Sequence, residues 1–164
     1  MVVESKRVEL PFPTQELAPL YRFALLLTGD EELSEQIVIA ACADCAGRIE
    51  SFRTSVSRTA CLLNGIRERS LKAKRPASST NAAAQPALAR DNGIAFAEKI
   101  SSMAEPERSA LALFYLNALP AREIAALLGL SLEDLAAALE KGRERLRREG
   151  LPNPPDEKAM EAAL

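Results

Sequence analysis

The chain has 164 residues, 48% of them hydrophobic but only 4% aromatic, and a net charge of −2. That balance, led by Ala and Leu, favours helices packed through small and medium side chains over an aromatic-rich β sandwich. It also excludes a general polycation, so any nucleic-acid contact has to come from a local cluster of Lys and Arg.

Further classes fall away by composition. No apolar run approaches the roughly 20 residues that span a bilayer. The first residues, MVVESKRVELPFP, lack the apolar stretch of a secretory signal. Three cysteines, an odd number, without such a signal point to a reducing, cytoplasmic setting rather than a disulfide framework. Histidine is absent, which removes the commonest general base and the commonest metal ligand. We therefore expect no enzyme, no catalytic residues, no metal, no cofactor and no small-molecule substrate.

In chain order, Leu17, Leu20, Tyr21, Ala24 and Leu27 recur with helical spacing. Thr28-Gly29-Asp30 then reads as a stop and a restart, with Gly29 in the left-handed position and Asp30 capping the next helix. That second helix is predicted from about Glu31 to Arg48, with Leu33, Ile37, Ala40 and Ala41 on one face. A third runs from about Arg53 to Lys74, turning Val56, Ala60, Leu63 and Ile66 inward. The three make a small bundle over residues 14–75.

From Pro76 to Gly93 there is almost no large apolar residue, so the segment cannot offset its ordering entropy and reads as a flexible linker. As a coil it would span about 20–25 Å, enough for two domains to sit apart. After it, Phe96, Ile100 and Met103 mark a short helix. Pro106 opens another, with Leu111, Phe114 and Leu116 for packing. A domain over 94–149 follows, then a proline-rich tail, 150–164, whose Glu157–Leu164 could form a last short helix. The expected fold is thus all-α: a three-helix bundle and a four-helix domain joined by a linker.

Residues 120–149 carry the strongest motif. A short helix from Ala121 ends at Gly129, which supplies the positive φ of a tight turn. Ser131 caps a longer helix, and Ser131 with Asp134 fits the Ser-x-x-Asp capping pattern. Ala125 allows close approach, while Ile124, Leu128, Leu130, Leu135 and Leu139 fill the shared face. This is a helix-turn-helix, the pattern of a DNA reader, although packing alone would ask for the same residues in a plain helical hairpin.

On these residues a family resemblance becomes visible. Pro106-Glu107-Arg108, Leu113, Glu123-Ile124-Ala125, Leu128-Gly129-Leu130-Ser131, Arg143 and Arg145-Leu146-Arg147 resemble region four of extracytoplasmic-function (ECF) sigma factors. Leu20-Tyr21-Arg22-Phe23-Ala24 and Leu27-Thr28-Gly29-Asp30 resemble the opening of region two. The resemblance covers residues 15–149, more closely in the second half. It implies a regulator of transcription initiation whose partners are RNA polymerase core and promoter DNA.

The sequence departs from that family in informative places. Where region two carries an Ala-Glu-Asp-Leu-Val-Gln-Glu-like run against polymerase, this chain has Ser34, Glu35, Gln36, Ile37, Val38, Ile39 and Ala40. One acid survives, and Ile39 makes the surface greasier. The tryptophan usual near the third helix, which the family uses in promoter melting, is absent. The start of the second helix of the motif, Leu132-Glu133-Asp134-Leu135-Ala136-Ala137-Ala138-Leu139-Glu140, offers acids and alanines where a reader needs basic or polar side chains. Those acids also suit a helix N-terminus. A module of this surface could instead mimic a sigma factor and occupy an anti-sigma factor.

The candidate residues follow. Arg53, Arg58, Arg67, Arg69, Lys72, Lys74 and Arg75 form a basic run with Glu68 its single acid, and with Lys141 and Arg143 they are the candidates for DNA phosphate. A solvated helix face is the plainer account of such a run. Glu35, Gln36, Ile39 and Ala40, with Glu133 and Asp134, are the candidates for polymerase or anti-sigma contact. Cys42 and Cys45 form a C-x-x-C, but two cysteines amid helical alanines behave as small hydrophobes unless further ligands complete a site.

Overall fold

The computed structural model describes residues 14–48, 55–73 and 91–149, in seven helices: α1 (Thr14–Thr28), α2 (Glu31–Ala46), α3 (Ser55–Lys72), α4 (Asp91–Ser101), α5 (Glu107–Leu116), α6 (Ala121–Leu128) and α7 (Leu132–Arg148). The described residues are all-α, as composition leads one to expect. The predicted linker (beyond its last three residues), Arg53, Lys74, Arg75 and the tail at 150–164 lie outside them.

Local chemistry sets the helix boundaries. Gly29 takes φ +71°, and Asp30 Oδ1 accepts the Leu33 N–H at 2.8 Å, so α1 stops and α2 starts within two residues. Buried Ser34 fills its needs there, bonding Thr28 Oγ1 at 2.8 Å and the Asp30 carbonyl. The α5 helix begins behind Pro106, which sits at its N-cap, and ends at Asn117 with φ +50°.

The helices of the two halves pack on one another. Around α5 the burial is nearly complete: Glu107, Ser109, Ala110, Leu111, Ala112 and Leu113 are all buried. A helix buried on every side is one enclosed by neighbours, and α5 indeed packs against α1, α4, α6 and α7. Because α1 also packs on α4, helices α1–α3 and α4–α7 share one continuous core. Phe23 and Leu27 of α1, Leu63 and Ile66 of α3, and Ile100, Leu111 and Leu113 of the second half are its most deeply buried members. Each such side chain contributes about 1.5–3 kcal/mol on removal from water. The close seam shows at Gly29, where a Cβ would fall 2.6 Å from Ser101 Oγ.

Candidate functional site

The helix-turn-helix forms as its residues require. Gly129 adopts φ +67°, and the Leu130 N–H returns to the Ala125 carbonyl at 2.9 Å, closing α6. Ser131 Oγ accepts the Asp134 N–H at 3.0 Å and donates to Asp134 Oδ2 at 2.7 Å, opening α7. Ile124, Ala125, Leu135, Ala138 and Leu139 are buried. The opposite surface of α7 consists of Leu132, Glu133, Asp134, Ala136, Ala137, Glu140 and Lys141, all exposed. On this outward face the first base is Lys141, more than two turns along.

A glycine that sequence reasoning passed over fixes how α7 lies on α5. Gly142 faces Leu111, and a Cβ there would approach Leu111 Cδ1 to 2.5 Å and Cγ to 3.0 Å. An interior glycine among strong helix formers was the available signal. On either side of this contact the two flagged cations tie the same helices together. Lys141 Nζ reaches Glu107 Oε1 at 2.5 Å, and the hydrogen bond it gives holds the buried Glu107 carboxyl below the usual carboxylate range. The Arg143 guanidinium lies 4.7 Å above the Phe114 ring, a cation–π contact. Phe114 in turn meets Tyr115 edge-on, and Tyr115 meets Phe96 with ring centres 5.1 Å apart.

Of the cations described on α3, Arg67 stands on a different side from Arg58, Arg69 and Lys72. At 3.6 residues per turn, Arg67 projects roughly opposite to Arg58, whereas Arg69 returns close to it. Arg58 Nη2 pairs with Glu16 Oε1 on α1 at 2.9 Å. Arg69 pairs with Asp44 of α2 and also donates to the Gly65 carbonyl. Arg67 crosses to the second half, donating to the buried Ser109 Oγ at 3.2 Å and pairing with Glu105 Oε2 at 3.8 Å. Lys72 is exposed at the end of the helix.

On α2 the structure does bring candidates together. Glu35, Gln36 and Ile39 share one exposed face, with half-buried Ala40 at its edge, while Ile37 and Val38 turn into the core. Ile39 is one of three large hydrophobic residues left exposed among the described residues, with Leu71 and Leu132. The candidate protein-contact faces of α2 and α7 therefore each carry acid and an exposed aliphatic side chain.

Residues 94–146, from α4 into the last turn of α7, match the family of sigma-70 region 4. The whole fold is similar to that of a sigma factor, RpoE of Bartonella quintana, solved in complex with the anti-sigma factor NepR. The TM-score is 0.63 at 15% identity, over 82% of this chain and 91% of that one. The fold is that of a sigma factor, and its second half carries the region 4 match. No curated protein sequence matches the chain. The matched stretch runs through α4, α5, α6 and most of α7, and the helix-turn-helix within it is α6–α7. No helix among the described residues is long and apolar enough to cross a membrane.

Proposed function

We propose that the chain regulates transcription initiation as an ECF-type sigma factor, engaging core RNA polymerase and promoter DNA. The region-four helix-turn-helix on a sigma-factor fold carries this reading. Within it, the exposed Glu35-Gln36-Ile39 face of α2, with Ala40 at its edge, meets polymerase. The region-two-like half is residues 14–75 and the region-four-like half 94–149. DNA phosphate falls to the cations at the C-terminal part of α7 and to the run from Arg53 to Arg75. A phosphate-dominated contact of this kind loses affinity steeply with salt.

A second reading rests on the outward face of α7. Its first two turns place Glu133, Asp134 and Glu140 toward solvent with only alanine and leucine between them, a surface that repels phosphate and offers base edges little. That face suits a protein, and a sigma mimic that occupies an anti-sigma factor would use it. The solved relative was itself crystallised with an anti-sigma factor.

A tagged pull-down from the source cells, identified by mass spectrometry, separates the two. Recovery of the large polymerase subunits, with salt-sensitive promoter binding by the reconstituted holoenzyme, supports the sigma factor. Recovery of one small partner without polymerase supports the mimic and overturns the first reading.

A further inference from the structure

The three cysteines take no part in the site above. Cys42 and Cys45 lie one turn apart on the buried side of α2, and Cys61 is half-buried on α3. The two helices follow one another through residues 47–54 and pack side by side, so they run antiparallel. In an antiparallel pair, positions facing each other step in opposite directions along the two chains. One facing pair is fixed by geometry: a Cβ on Gly65 would lie 3.7 Å from the Ala41 Cβ. Moving one turn toward the connection on each helix leads from Ala41 to Cys45 and from Gly65 to Cys61. At Ala41 and Gly65 the seam is about as close as the roughly 3.8 Å between Cβ atoms that a disulfide needs, and one turn along the Cys45 and Cys61 thiols are within hydrogen-bonding reach.

We propose that Cys45 and Cys61 form a redox pair that hydrogen peroxide converts into an intramolecular disulfide, tying α2 to α3. Cys42, on the same helix as Cys45, is left as a packed thiol.

The chemistry divides between the two sulfurs by access. Burial, and then the neighbouring Cys61 thiol, push Cys45 up to about 11. It is a poor first target, since the thiolate is the nucleophile. Cys61 is the sulfur that a small oxidant reaches. Its thiolate attacks one peroxide oxygen; an S–O bond forms as the O–O bond breaks, leaving a sulfenic acid and releasing one water after protonation. The Cys45 sulfur then attacks the sulfenic sulfur. The S–S bond forms, the S–O bond breaks, and hydroxide departs with the Cys45 proton as a second water. Two thiols lose two electrons and two protons, and the peroxide is reduced to two waters. A thiol at about 11 is ionised on the order of one part in ten thousand at neutral pH. Effective concentrations of about 10⁵ M or more for well-placed intramolecular groups offset that fraction.

The test uses the full reduced chain exposed to graded hydrogen peroxide and read by intact mass and by peptide mapping without reduction. The expected result is a monomer that has lost two hydrogens, with one cross-linked peptide joining Cys45 to Cys61, reversed by a dithiol reductant. Cys42→Ser should keep that cross-link, and Cys61→Ser should abolish it. A cross-link between Cys42 and Cys45, a disulfide between two chains, or sulfinic acid at Cys61 with no cross-link would each overturn the proposal. Because the wild-type map is decisive alone, it stands even if a serine variant folds poorly.

Discussion

Helices α3 and α7 carry comparable numbers of cations and use them in opposite ways. On α3, Arg58, Arg67 and Arg69 each reach an acid on a different element, on α1, at the α4–α5 corner and on α2. On α7, Arg145, Arg147 and Arg148 pair with Glu140, Glu144 and Glu149 within three to seven residues along the same stretch. The first set cross-links the fold. The second is a set of exposed pairs of the kind worth about 0–1 kcal/mol, which phosphate can displace at little cost. A run of basic residues is therefore a poor guide to a DNA surface until the partners of each cation are known. On that ground the last turns of α7 are freer to meet phosphate than α3.

What holds α7 in place is packing, and breaking it should have the largest effect. Gly142→Leu drives a side chain into Leu111 and should cost about 3 kcal/mol, read as a fall in the urea midpoint. Next comes the charge tie of α3. Arg67→Glu sets an acid beside Glu105 and removes the donor to buried Ser109, for about 2 kcal/mol. Combining it with Glu105→Arg should restore part of that loss, and no restoration would mean that the pair does not couple the halves. Ser131→Ala removes the cap of α7 and should cost about 1 kcal/mol.

Glu107 gives a comparable effect with a pH signature. Its carboxyl binds a proton less readily folded than unfolded, chiefly through the hydrogen bond from Lys141. The unfolded chain thus takes up more protons as pH falls through the carboxylate range, so this contribution is complete above the ordinary carboxylate pKa and drains away below it. Glu107→Gln should lower stability by about 1 kcal/mol at neutral pH and flatten the acid limb of a stability–pH curve. The smallest change belongs to the exposed end of α7. Arg148→Ala should move stability by less than about 0.5 kcal/mol yet weaken any DNA complex and reduce its salt slope by about one. Equal losses of stability for Arg67→Glu and Arg148→Ala would erase the distinction between the two helices.

The features legible in the sequence were those settled within a few residues. Asp30 capping α2, Gly29 and Gly129 in the left-handed region, and Ser131 bonding Asp134 all depend on neighbours one to four positions away. The apolar faces followed period by period, although Phe23, completely buried, stood outside the face assigned to α1 because that helix is covered by α4 and α5 as well as by α2 and α3. The acid partners of Arg58, Arg67 and Arg69 lie 25 to 42 residues away in sequence, and no local rule finds them. For the same reason Gly142 gave no hint of Leu111, and the basic run gave no hint that Arg67 reaches Ser109 and Glu105.

The enclosure of α5 bears on what a partner must do. A ligand that needs the two halves separated can act only on molecules in which α1 and α5 have been uncovered, so its observed affinity is its intrinsic affinity multiplied by the fraction of open molecules. A ligand that accepts the closed arrangement meets no such reduction. It also deepens the closed well, and thereby raises the barrier against every partner of the first kind without touching the surface that partner would use.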